Sequence, residues 1–113
     1  LESLEIKKLI KRPSVPKYAK HNGHIYYLIV KNNQRNKLIN LLKQKKINAV
    51  FHYIPLHSSP FGKLKTKIKS KIHHTNFISK NLIRLPMHTK LLKKDISKCA
   101  NQIQSFFNKS RLS

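Results

Sequence analysis

The chain has almost no acid. Glu2, Glu5 and Asp95 are its only carboxylate side chains in 113 residues, and none lies between positions 6 and 94. Glycoside-type hydrolysis, which needs two carboxyl groups flanking one bond, has no pair to work with. Tryptophan is absent, and Cys99 stands alone, so an intramolecular disulfide is excluded and the sequence shows no secreted cysteine framework. The cytoplasm, kept reducing, is the compartment that fits. There is no G-x-S-x-G elbow, P-loop or G-x-G-x-x-G fingerprint. The longest apolar run, residues 25–30, is far short of the roughly 18 residues of a membrane-spanning helix. No signal peptide is read at its start, and neither a membrane segment nor self-contained catalysis is expected.

What is abundant is lysine. The 25 Lys and Arg give a formal charge of +22, yet Arg occurs only at 12, 35, 84 and 111. A chain so basic attracts polyanions, and phosphate contacts with counterion release supply affinity without any base reading, so a basic nucleic-acid-binding protein is one reading. Arginine is the better fork for phosphates and bases, however, and here the cations are lysines spread along the whole chain beside many Ile and Asn. All three are encoded by A- and T-rich codons. We favour base-composition drift as the hypothesis for most of the charge; ordinary arginine usage in a neighbouring protein of the same genome would count against it.

The length suits one domain, and with 39% hydrophobic residues the core must be small. Residues 1–8 read as the end of a helix, and 9–12, followed by Pro13 and Pro16, as a linker or a leading strand. Residues 24–31 are rich in β-branched and aromatic types and predict a buried strand. Leu38, Ile39, Leu41 and Leu42 recur at helical spacing within 33–46, with Asn32 or Asn33 placed as N-cap. Residues 47–53 predict a second strand, stopped by Pro55. The stretch 54–74 holds Pro55, Pro60 and Gly62 and reads as a long lysine-rich surface loop, the alternation over 63–71 leaving a basic β-ribbon as the other reading. A short helix over 75–81 capped by Thr75, a strand over 83–85 ended by Pro86, and a last helix striped by Ile96, Ala100, Ile103, Phe106 and Phe107 complete the pattern. The fold class expected is α/β, a small domain of α+β character with helices packed on a small sheet.

Seven histidines invite a metal reading, but the required third and fourth ligands are missing: the acids sit at the ends and Cys99 falls inside the last helical stripe. The more promising group is residues 51–57, where His52, Tyr53 and His57 surround a proline turn at a strand end. Strand ends are common ligand positions in α/β sheets, and imidazole and phenol can donate to phosphate or sugar oxygens. Ordinary surface residues would look the same.

Three strings resolve this further. Residues 22–27 (Asn-Gly-His-Ile-Tyr-Tyr), 49–57 (Ala-Val-Phe-His-Tyr-Ile-Pro-Leu-His) with Pro60 behind them, and 84–87 (Arg-Leu-Pro-Met) closely resemble, in order and separation, the C-terminal domain of the DegT/DnrJ/EryC1/StrS aminotransferases. The similarity covers nearly the whole chain but only about the last third of a family enzyme. It implies a fold-type-I, pyridoxal-phosphate-dependent aminotransferase acting on a sugar nucleotide, of the dTDP-4-keto-6-deoxy-sugar type used in surface-polysaccharide assembly. The large domain of such an enzyme holds the cofactor lysine, and the small C-terminal domain closes over the substrate.

On that resemblance, residues 1–23 are a linker from a large domain, 24–109 the small domain and 110–113 a tail. His24 opens the first strand, and His24, His52, Tyr53 and His57 are the candidate substrate-binding residues. No lysine here sits in the family's cofactor-lysine motif, so no catalytic or cofactor-binding residue is assigned to this chain. Homodimers of the family form largely through the large domain, and a separately encoded large domain is the partner implied, from a split or decayed gene. Two departures from the family pattern stand out. Lys93 follows Leu92 where a Ser or Thr usually caps the last helix, which costs about 0.3–1 kcal/mol and is offset by Asp95 in the first turn. The stretch 63–74 is uniformly basic where relatives carry acids and glycines.

If drift explains the charge, mixed-sequence DNA should bind weakly at physiological salt. Fluorescence anisotropy in a salt series tests this: the expected dissociation constant is above about 1 μM, the non-specific range, whereas sub-micromolar binding with a steep salt slope would favour the nucleic-acid reading.

Overall fold

A computed structural model of the chain describes residues 1–31, 33–65, 67 and 72–109. Four short strands, β1 (Ile10–Lys11), β2 (Tyr26–Val30), β3 (Val50–Phe51) and β4 (Leu82–Leu85), form one sheet in the order β1-β2-β4-β3, every neighbouring pair antiparallel. Five helices accompany them: α1 (Glu2–Ile6), α2 (Arg35–Gln44), α3 (Pro60–Lys65), α4 (His73–Asn81) and α5 (Lys93–Lys109). Because β2 and β3 both run against β4, they are parallel to each other. The unit β2-α2-β3 is thus a split βαβ with β4 inserted between its strands. The expected α/β class, helices on a small sheet, is what the chain adopts.

The core follows from the two periodicities. In β2 the alternate residues Leu28 and Val30 are fully buried, and Ile83 of β4 lies opposite Leu28. Leu38 and Leu42 of α2 and Ile103 and Phe107 of α5, four apart in each helix, complete the same cluster. The stripe expected for α5 holds at its centre, but Ile96 at its start is 58% exposed. Segment 1–23 does more than link: Leu4 and Ile10 enter the core, and β1 pairs with β2, so the strand that follows His24 is the second of the sheet rather than its first.

Helix ends account for several differences from the predicted boundaries. Asn33 does not cap α2; it takes a left-handed φ of 54° and turns the chain, a conformation Asn tolerates, while Gln34 precedes the helix without a side-chain cap. Asn32, the other expected cap, lies outside the described residues. At the far end of α2, the Ile47 amide donates to Leu42 O and the Lys46 amide to Lys43 O, at 2.9 and 3.0 Å, with Lys46 at φ 59°. This is a Schellman ending, with Ile47 and Leu42 both buried in the core cluster. It consumes the residues expected to open the second strand, leaving only Val50–Phe51 as strand at the sheet edge. Helix α1 ends identically: Leu9 donates to Leu4 O and Lys8 to Glu5 O, with Lys8 at φ 57°. Glycine is the usual occupant of such positions, and the chain has two glycines in all.

The loop expected over 54–74 contains a helix. Ser59 Oγ accepts from the Gly62 amide at 3.0 Å, and Pro60 fills the first helical position, so Ser59 caps α3. Of the basic ribbon considered for 63–71, residues 66 and 68–71 lie outside the described residues, and 63–65 are helical. Helix α4 starts at His73 rather than after Thr75, with no side-chain cap at Ile72. For α5, the Asp95 carboxylate accepts from the Leu92 amide at 3.0 Å, half of a capping box, which supplies the compensation expected for the missing Ser or Thr.

One ion pair ties α1 to the chain beyond β1. Glu5 accepts from the Arg12 amide at 2.8 Å and from Arg12 Nε at 2.6 Å, and these hydrogen bonds hold the Glu5 carboxyl below its ordinary range. A depressed carboxylate pKa stabilises the fold above the unfolded value near 4.5, and the contribution disappears as pH falls through the lower folded value. In urea titrations Glu5→Gln should therefore be less stable than the parent at pH 7, with the gap closing in acid. Lys46→Gly, which relieves a left-handed lysine, should raise stability by about 1 kcal/mol in the same assay.

Candidate functional site

The turn after β3 is built by local chemistry. Pro55 holds extended backbone at φ −58° and ψ 139°, a single 3-10 turn follows at Leu56–Ser58, and the Ser58 and Ser59 hydroxyls donate to Pro55 O and Leu56 O at 3.0 and 2.7 Å. Gly62 permits α3 to fold back on this turn: a Cβ there would stand 1.7 Å from Leu56 O. The result is a fixed turn with its side chains displayed outward.

An open groove of about 650 Å³ runs between this turn and α4, lined by His52, Tyr53, Pro55, His74, Thr75 and Ile78 among others. The His52 and Tyr53 rings meet edge to face, centroids 4.8 Å apart at 63°, an arrangement that fixes both rings relative to each other. His57 reaches across to α4, its Nε2 2.9 Å from Asn76 Oδ1. No carboxylate lines the groove. Imidazoles, a phenol and a threonine hydroxyl can therefore meet an anionic or hydroxyl-rich ligand without repulsion.

Behind the groove, Arg35 lies over the Phe51 ring, 5.5 Å from its centroid. Its Nε and Nη1 are buried without a hydrogen-bond partner among the described residues, and desolvation lowers its pKa from the ordinary arginine value. A cation supported by a ring face and short of hydrogen bonds thus lies against Phe51, the residue that precedes His52. Nothing in the sequence reading pointed to it.

Of the four residues named from the sequence, His52, Tyr53 and His57 share this end of the sheet, and His24 does not. Tyr26 pairs with Leu85 and Phe51 with Ile83. By continuing the register, His52 falls opposite Leu82 and His24 opposite Met87, five positions apart along β4, or about 17 Å at 3.4 Å each. Gly23, at φ 67°, is close to Met87, a Cβ there lying 3.7 Å from Met87 Cε. Met87 lines a second, apolar groove of about 590 Å³, together with Leu1, Tyr26, Leu85, Ile96 and Cys99 among others. Burial there raises the Cys99 thiol pKa. His74 and Thr75 line the first groove and Asn76 meets His57, roles that sequence reasoning did not assign; the adjacent histidines at 73 and 74 were visible only as a weak metal motif. Among the described residues no group of three or more His, Cys, Asp or Glu is placed to hold a metal ion.

Neither groove makes a cradle for pyridoxal phosphate. Among the described residues no lysine lines the first, and Lys46 and Lys98 beside the second are exposed, whereas a cofactor lysine must be held against the ring. No described helix is long and apolar enough to cross a membrane.

Known proteins share this architecture. The aminotransferase TlmJ from Streptoalloteichus hindustanus superimposes with a TM-score of 0.82 at 14% identity, over 97% of this chain and 29% of that one. The putative sugar aminotransferase Spr1654 from Streptococcus pneumoniae gives 0.71 at 23% identity, over 89% of this chain and 26% of that one. In sequence, an uncharacterized protein of Methanocaldococcus jannaschii is 28% identical over 104 residues, 88% of this chain and 27% of the relative. The chain thus spans between a quarter and three tenths of the length of these proteins. The model of the DegT/DnrJ/EryC1/StrS aminotransferase family matches residues 1–104, and the chain belongs to that family.

Proposed function

We propose that the chain forms the substrate-side wall of a sugar-nucleotide aminotransferase in the cytoplasm. The enzyme type is a dTDP-4-keto-6-deoxy-sugar transaminase, nearest to dTDP-4-amino-4,6-dideoxygalactose transaminase, serving surface-polysaccharide assembly. The observation that carries this reading is the carboxylate-free groove at the end of β3, where His52 and Tyr53 face His74 and Thr75, within a chain of this family. The likeness to a putative sugar aminotransferase supports it.

In such an enzyme pyridoxal phosphate supplies the electron sink for amino transfer. The residues here do not fit that group, so their work is binding and orientation. His52 and Tyr53, locked edge to face, offer polar ring atoms toward the sugar nucleotide; the turn and α4 exclude water from one side of it. The partner proposed is a large domain carrying the cofactor lysine, without which the residues described here do not transaminate.

Mixing the purified chain with a large-domain fragment of a family enzyme, then adding a dTDP-4-keto-6-deoxy sugar and glutamate, should change the cofactor absorbance; either part alone should leave it unchanged. His52→Ala should reduce the rate of that change by about 5- to 20-fold, the loss of one to two hydrogen bonds. No change with both parts folded would sink complementation, and a single lysine of this chain trapped saturably by borohydride would show that it carries its own cofactor site.

A further inference from the structure

The contact between His57 and Asn76 sets which nitrogen of the ring is free. Nε2 lies 2.9 Å from the amide oxygen of Asn76, and an amide oxygen only accepts. With that oxygen facing the ring, the pair requires a proton on Nε2, and a neutral His57 then keeps its lone pair on Nδ1. We infer that Asn76 is a positioning residue that holds His57 as the Nε2–H form and leaves Nδ1 as a hydrogen-bond acceptor for a sugar hydroxyl. This rests on the reading of the strand end as a sugar-nucleotide site, and it separates two ligand parts that histidine can serve.

A phosphate diester or diphosphate oxygen brings no hydrogen to donate, so it has nothing to offer a bare Nδ1. A hydroxyl does. The flanking serine hydroxyls spend their protons on the turn, Ser58 Oγ donating to Pro55 O and Ser59 Oγ to Leu56 O, and Ser59 Oγ also accepts from the Gly62 amide. Both ends of the contact are held by backbone: His57 by the 3-10 turn at Leu56–Ser58, Asn76 by the first turn of α4. The two residues are 19 apart in sequence, so the bond also closes the turn onto the helix. An amide does this without adding negative charge beside a nucleotide diphosphate, which a carboxylate in the same place would do.

The test is long-range proton–nitrogen NMR of the ring in the full 113-residue chain, with the His57 signals assigned from His57→Gln. Above the pH where the ring carries charge, the parent should show Nε2–H with a protected ring proton. Asn76→Asp, which keeps an acceptor, should retain it, and Asn76→Leu should lose it while the backbone amide spectrum stays dispersed. Titrated with dTDP-glucose, Asn76→Leu should bind about fivefold more weakly than the parent, one hydrogen bond's worth, while dTDP without the sugar binds both equally. A dominant Nδ1–H form in the parent, or equal weakening of both nucleotides, overturns the inference. If the parent binds neither nucleotide, the hydroxyl assignment and the sugar-nucleotide reading fall together, and the ring spectra alone then decide whether Asn76 positions His57.

Discussion

The antiparallel ladder between β2 and β4 is the constraint on which everything else rests. It pairs Tyr26 with Leu85 through to Ile29 with Leu82 and places Leu28 and Ile83, both fully buried, against each other at the centre of the core. Because side chains alternate across a strand, a slip of one residue would turn that apolar pair to the other face. The same ladder fixes what lies at each end of the sheet. It sends the glycine turn before β2 toward Met87 and the histidine turn after β3 toward α4, so the two grooves open at opposite ends of β4.

Against that small core stands a large uniform charge. With +22 and three carboxylates, nearly every lysine lacks an ionic partner, and Glu5 with Arg12 is the salt bridge among the described residues. Self-repulsion of this kind opposes compactness. The surface around the turn adds a second burden: Tyr53, Leu56 and Phe61 are 77, 84 and 71% exposed. Large exposed apolar side chains near one turn are a further cost to a domain with so small a core.

Much of the fold was legible because periodicity reports burial. The run that became β2 and the stripes of α2 and α5 are strong patterns, and the short β4 was bounded by Pro86. What escaped notice depended on backbone hydrogen bonds rather than side-chain pattern. Helix α3 needed the pairing of Ser59 with Pro60 to be read as a cap and first helical position. The second strand was overlong because Ile47 and Ala49, though apolar, are buried by the ending of α2 and not by the ladder. In the site, His52, Tyr53 and His57 are near one another in sequence and share one turn. The position of His24 depends on strand register, and those of His74 and Asn76 on how α4 meets the turn, and neither is written in local spacing.

If base-composition drift supplied the lysines, the two left-handed ones at the ends of α1 and α2 carry it into the backbone. Glycine codons begin with two guanines, whereas lysine codons begin with two adenines, so a mutational pressure toward adenine and thymine removes the residue best suited to a Schellman ending and offers lysine instead. The hydrogen bonds of the motif survive at both sites, and the strain of a side chain at positive φ is added to them. Drift of that kind would cost stability at helix ends while leaving the core and the grooves untouched.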